Sequence, residues 1–189
     1  NPISLFYGGE VVIDNCKIIG TNHGEGFLFV NIINPIVTNC EFESIPDAVE
    51  FINCKSGRIG NCKFSNIQDD AIDLNHCSKT IIDSNLIYNV SDRGMEIGSE
   101  NNGSSTDIIV NHNIIINCSE GINFKEGSNG LVQNNTLYNN SIGISSIASN
   151  PSAAGSNVDV LNCVLYQNDT SVYIDAISTM NISYSLSDN

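Results

Sequence analysis

Ile13-Asp14-Asn15-Cys16-Lys17-Ile18 is the stretch on which the fold turns, because its pattern, apolar-x-x-(Cys or Asn)-x-apolar, occurs seven times at intervals of 22 to 28 residues. It returns as Val37…Cys40…Phe42, Ile59…Cys62…Phe64, Ile82…Asn85…Ile87, Val110…Asn113…Ile115, Val132…Asn135…Leu137 and Val160…Cys163…Leu165. A second track runs in register with the first. It includes Gly26-Phe27-Leu28-Phe29, Ala48-Val49-Glu50-Phe51, Ala71-Ile72-Asp73-Leu74, Gly94-Met95-Glu96-Ile97 and Gly121-Ile122-Asn123-Phe124. Two short strands per repeat at this period describe a coiled, quasi-one-dimensional chain.

Within each track apolar and polar residues alternate, as in Val49, Glu50, Phe51 and Ile72, Asp73, Leu74. That is period two, the signature of strands. Gly, Asn, Asp and Ser fill the gaps, as turns require. Stacked coils place equivalent residues ~4.8 Å apart, so asparagines in one column form amide ladders along the axis. A leucine-rich repeat shares the Asn/Cys step. It would need an apolar residue where Pro35, Gly57, Thr80 and Gly130 stand, and a helix that the second track does not supply. The pattern therefore predicts an all-β, single-stranded right-handed parallel β-helix of seven to eight coils, with residues 1–189 as one domain. Neither Asn1 nor Asn189 lies beside an evident cap, and no signal peptide or initiator Met is visible. The expectation is a piece of a longer chain whose other domains accompany it.

The net charge is −14 with only 7 basic residues. This argues against nucleic acid as a partner, because such binding needs a basic footprint. It also disfavours bare polyanionic sugars, while an acidic surface recruits cations. No apolar run is long enough to span a membrane. The 7 cysteines are odd in number, lack any C-x-x-C pair and share columns with asparagine. They read as free, buried thiols acting as small hydrophobes, not as zinc ligands or a disulfide framework. His23, His76 and His112 are far apart on the repeat grid and read as turn or strand residues. Seven Asn-x-Ser/Thr sequons are expected by chance in so Asn- and Ser-rich a chain. Two polar inserts, Ser99 to Thr106 and Ala148 to Asn157, lengthen their coils and read as surface loops.

The acids fall into register. Asp47, Asp70, Arg93 and Glu120 form one outward column, and Glu50, Asp73, Glu96 and Asn123 form another. Like charges stacked this closely repel. Raised pKa values, the Arg93 guanidinium or a bound cation must offset the repulsion. Clustered carboxylate oxygens suit Ca²⁺, and Asp47, Glu50, Asp70, Asp73 and Glu96 are its candidate ligands.

The spacing and paired turns resemble the parallel β-helix repeats of the pectate-lyase-like superfamily across nearly the whole chain. Ile45-Pro46-Asp47, Gln68-Asp69-Asp70, Asp92-Arg93-Gly94 and Asn123-Phe124-Lys125 fall where polygalacturonase-type hydrolases carry four successive motifs. That resemblance implies Asp47, Asp69 and Asp70 as catalytic carboxylates and Lys125 as a further site residue. It also places Arg93 and Asn123 where those hydrolases have His and Arg. Asp69-Asp70-Ala71-Ile72-Asp73 resembles the ligand coil of calcium-dependent pectate lyases, for which Arg93 and Lys125 are the basic candidates nearby. Residues 40 to 170 are most similar to the β-helix region of bacterial surface proteins with CotH-like or lamin-tail domains. The motifs concerned are Asp47 to Phe51, Asn61-Cys62-Lys63-Phe64, Asp69 to Leu74, Asp92 to Glu100 and Gly121 to Glu126. This implies an accessory, secreted or cell-surface module with no established reaction. Together with the acidic columns, the expectation is a carbohydrate-associated, non-catalytic module whose acidic stripe binds Ca²⁺. A polyuronate-degrading enzyme and a structural spacer are the alternatives.

Overall fold

The computed structural model describes residues 3–20, 24–99, 103–149 and 152–188. His23, Glu100 and parts of the two inserts, residues 101–102 and 150–151, lie outside them. The described residues contain strands and turns and no helix. One sheet has eight parallel strands in chain order, from Val11–Asp14 through Arg58–Gly60, Ile108–Asn111 and Asn157–Leu161 to Thr179–Ser183. Each strand hydrogen-bonds to its equivalent on the next coil, as Ile82 pairs with Val110 and Val110 with Val132. The chain is a parallel β-solenoid.

A coil carries three strands where two were expected, because the first track divides. Lys63–Ile67 follows Arg58–Gly60, and Ile72–Asn75 completes that coil. The division has a local cause. Asn15, Asn39, Asn61, Ser84, His112, Asn134 and Asn162 all adopt φ between 52° and 58°, the left-handed region that Asn tolerates best. Each bends the chain between two strands and turns the next residue, Cys or Asn, inward. On two coils the second and third strands run together as Leu86–Ile97 and Ile114–Lys125.

The inward column is a ladder. Asn113 Nδ2 donates to Asn135 Oδ1 at 3.0 Å and to the Ile82 carbonyl at 3.0 Å, while Asn113 Oδ1 accepts the Asn85 N–H at 2.9 Å. Buried amides survive because each is paired. Most of the remaining interior is apolar, with Phe42 and Phe64 stacked at 4.9 Å between ring centroids, although further polar side chains such as Ser105, Ser128, Asn140 and Asn168 are buried as well. Six of the seven cysteines are buried and all are free. Cys16 corrects the expectation of burial: it lies on the first coil, where only one side is covered, and is exposed. His76 and His112 occupy turns with φ 57° and 56°.

Candidate functional site

The acidic columns lie on the face formed by Val49–Ile52, Ile72–Asn75 and the C-terminal parts of Leu86–Ile97 and Ile114–Lys125. Inward residues such as Val49, Phe51, Ile72, Leu74, Met95 and Ile97 are wholly buried, so the intervening Glu50, Asp73 and Glu96 are forced onto one outward row. Glu50 pairs with Asp73, Asp73 with Glu96 and Glu96 with Asn123 in register. At the strand entrances, Asp70 N–H donates to Asp47 Oδ1 and Arg93 N–H donates to Asp70 Oδ1, each at 3.0 Å. These carboxylates thus act as hydrogen-bond acceptors for the next coil's backbone, which fixes their positions.

Two of the three ways of offsetting the repulsion are visible. Glu96 is held between two cations: its Oε2 lies 2.6 Å from Arg93 Nη1 and its Oε1 lies 2.6 Å from Lys125 Nζ. Arg93 Nη1 also lies 2.8 Å from Asp92 Oδ2 and 3.7 Å from Asp70 Oδ2. Proton affinity supplies the second offset. Burial, with the neighbouring Glu96 charge, pushes the Asp70 carboxyl up to about 8 despite the opposing pull of Arg93. Burial raises Asp73 well above the carboxylate range, aided by Glu96, Glu50 and Asp70. Asp47, Glu50 and Asp92 are raised chiefly by burial as well. Raised proton affinity of this kind, up to about 8 at Asp70, means that a cation bound here would compete with protons.

The candidate ligands separate into two overlapping groups. One oxygen from each of Asp47, Asp69 and Asp70 lies within 4.8 Å of the others, and the same holds for Asp70, Asp73 and Glu96. The first group is all hard oxygen and suits Ca²⁺. In the second, Glu96 already has a cation on each oxygen, although Asp73 Oδ1 is buried without a partner. Glu50 joins neither group and instead accepts Asn75 Nδ2 at 3.2 Å, while that amide also donates to Asp73 Oδ2 at 2.8 Å.

Lys125, a basic candidate by resemblance, sits beneath the stripe with 2% of its side chain exposed. Arg93 is anchored on the stripe by three carboxylates. Sequence reasoning missed what Asn123 does. It donates to Glu120 Oε2 at 2.9 Å and to Ser145 Oγ at 2.7 Å, and Ser145 Oγ donates to Glu120 Oε2 at 2.6 Å. Asn123 thereby ends the outward row with a neutral amide that donates to the Glu120 carboxyl. The register between Asn123 and Ser145 was the available signal.

A family model described as a right handed beta helix region matches residues 47–189. Among solved structures, a mutant of the periplasmic alginate epimerase AlgG is similar at 12% identity and a TM-score of 0.71, over 92% of this chain and 49% of that one. The chain thus spans about half the length of the epimerase. An alginate lyase from Paenibacillus sp. strain FPU-7 is similar at 12% identity and a TM-score of 0.67, over 97% of this chain and 89% of that one. At such identity the likeness is one of fold. No curated protein matches the chain by sequence.

Proposed function

This chain belongs to the family of right-handed β-helix regions, and from that premise we propose that it is a polysaccharide-associated module, acting outside the cytoplasm, whose acidic stripe holds Ca²⁺ and carries out no reaction. The observation that carries this reading is the Asp47, Asp69 and Asp70 oxygen group, gathered within 4.8 Å on a face where Lys125 and Arg93 both pair with Glu96 at 2.6 Å and Arg93 comes no nearer to Asp70 than 3.7 Å. The donor chemistry fits Ca²⁺: carboxylate oxygens from two coils, with room for the irregular geometry that this ion accepts. When bound, the ion supplies positive charge to an acidic face and so a means of meeting anionic or hydroxyl-rich sugars. Asp47 and Asp70 are the ligands that the backbone already orients, and Asp69 is the exposed one. The non-catalytic part rests on the cations. Lys125 is buried against Glu96, and the Arg93 guanidinium is clamped, so neither is poised to take a proton from a sugar. The fold of the alginate epimerase and lyase supports polysaccharide as the partner class, and the epimerase's periplasmic description supports the location.

One observation favours a second, enzymatic reading. Asp70, raised to about 8, is a protonated acid beside other carboxyls, the arrangement that general acid and base chemistry uses. The two readings separate in one experiment. The chain is incubated with polyuronates and with neutral polysaccharides in millimolar Ca²⁺, and retention on the insoluble polymer is read alongside release of reducing ends and of unsaturated products. Ca²⁺-dependent retention without products supports the module. Products that vanish in Asp70→Asn establish the enzyme, and neither retention nor products removes both.

A further inference from the structure

A groove of about 480 Å³ opens on the eight-stranded sheet, away from the acidic stripe. The two polar inserts approach one end of it. Each lengthens its coil, whereas the turn of the coil between them, around Gly127, stays short. The inserts close in on that turn: a Cβ placed on Gly127 would lie 3.2 Å from the Ala154 Cβ and 3.8 Å from the Ser104 Cβ. The groove begins there and runs over the starts of Ile108–Asn111, Asn129–Gln133 and Asn157–Leu161. Its size falls within the ~300–1,000 Å³ common for ligand sites.

The lining has one consistent chemistry. Ile109 and Leu131 are paired in register, point outward and form an aliphatic floor. Asp107, Asn129, Asn157 and Asp159 surround it. Asn129 Oδ1 accepts the Asp107 N–H at 2.9 Å, Asn157 Oδ1 accepts Thr179 Oγ1 at 2.7 Å, and Asp159 Oδ1 accepts Asn181 Nδ2 at 2.9 Å. One atom of each of these three side chains fixes its position. Two amide NH₂ groups, Asp159 Oδ2 and the Asp107 carboxylate remain without a protein partner among the described residues.

We propose that this groove is a binding subsite for an uncharged sugar residue of a polysaccharide. A pyranose presents a C–H face that suits Ile109 and Leu131, and hydroxyls that both donate and accept. Those hydroxyls match two donors and two carboxylate acceptors. Asp107 and Asp159 would repel a uronate, and no cation lines the groove to receive one. The subsite lies on a different sheet from the Asp47, Asp69 and Asp70 group and does not depend on a metal there.

The test is an amide chemical-shift titration of the isotopically labelled chain, in chelator, with cellohexaose, mannohexaose, xylohexaose and a hexamer of galacturonate. At least one neutral hexamer shifts Ile109, Asn129, Leu131 and Asp159 saturably, and the galacturonate hexamer leaves them in place. Asn129→Asp keeps the acceptor for Asp107 N–H and removes the NH₂, and it weakens that binding about tenfold. Leu131→Ser does the same from the floor, and both variants keep the parent's thermal midpoint. The proposal is overturned if no neutral hexamer shifts these amides, if the uronate occupies the groove equally, or if neutral-sugar shifts gather around Asp70 and Glu96 instead. Because chelator is present throughout, failure here leaves Ca²⁺ binding at the stripe untouched.

Discussion

Lys125 Nζ sits 2.6 Å from Glu96 Oε1, with 2% of the lysine side chain and 9% of the glutamate exposed. A buried pair of this kind is weak evidence for stability, but breaking it from one side strands a charge. Lys125→Met should lower unfolding free energy by about 3 kcal/mol. Adding Glu96→Gln should recover only part of that loss, because it removes the half-stranded carboxylate but also the oxygen that holds Arg93 Nη1 at 2.6 Å. Chemical denaturation of the single and double variants reads both effects, and additive losses would show the pair is not coupled.

The stripe should make the metal-free chain sensitive to alkali. Asp70, raised to about 8, and Asp73, raised well above its usual range, bind protons more tightly folded than unfolded. Their contribution is therefore full below the unfolded carboxylate range near pH ~4 and is lost as pH rises through the folded values. In chelator the thermal midpoint should fall between about pH 5 and about pH 9. Millimolar Ca²⁺ should flatten or reverse that fall, because it favours the ionised carboxylates.

Asp70→Asn is expected to act in opposite directions on the two forms. The amide oxygen can still accept Arg93 N–H, and the cost of ionising a buried acid disappears. At mildly alkaline pH the variant should melt higher than the parent in chelator and gain less from Ca²⁺. Equal gains would remove Asp70 from the ligand set.

The inward amide column should tolerate Cys far better than Leu. Asn113→Leu leaves the buried Asn85 N–H without its acceptor, at a cost of about 1–3 kcal/mol before lost ladder bonds are added. A thiol can fill the same role, as Cys62 Sγ does for the Cys40 N–H at 3.5 Å. Asn113→Cys should therefore unfold at a denaturant concentration between those of Asn113→Leu and the parent.

Thiol chemistry should single out one residue. Cys16 is exposed and the other six cysteines are buried, with burial pushing the Cys62 and Cys118 thiols up to about 12. A disulfide reagent should label one thiol per native chain quickly and all seven after denaturation. Cys16→Ser should abolish the fast phase.

The fold was legible because a solenoid writes each contact at a fixed sequence interval. Val37, Ile59, Ile82 and Val110 could be stacked from the sequence, and the structure pairs them in register. The same interval brought Asp47 beside Asp70, and Asp73 beside Glu96. What the interval does not carry is direction within a coil. The left-handed Asn61 splits one apparent track into two strands, which no hydrophobic pattern records. A second inward column, Cys118, Asn140 and Asn168, was overlooked although Cys118 N–H donates to Asn140 Oδ1 and Asn140 N–H to Asn168 Oδ1. Its members stand three residues before Gly121, Gly143 and Ser171, and that spacing was the signal. Lys125 was legible as a basic candidate near the acids, but not its burial, which depends on Glu96 reaching across from the preceding coil. The groove beside Gly127 is lined by the strand starts of three successive coils, whose relief composition alone does not specify.

The acids brought together by the repeat are proposed to hold Ca²⁺. Isothermal titration of CaCl₂ into the chelator-stripped chain at neutral pH measures this directly, with Asp47→Asn and Asp70→Asn run alongside. Saturable binding accompanied by proton release, weakened at least tenfold in each variant, is the expected result. No saturable heat in the parent, or binding that both variants retain undiminished, would contradict it.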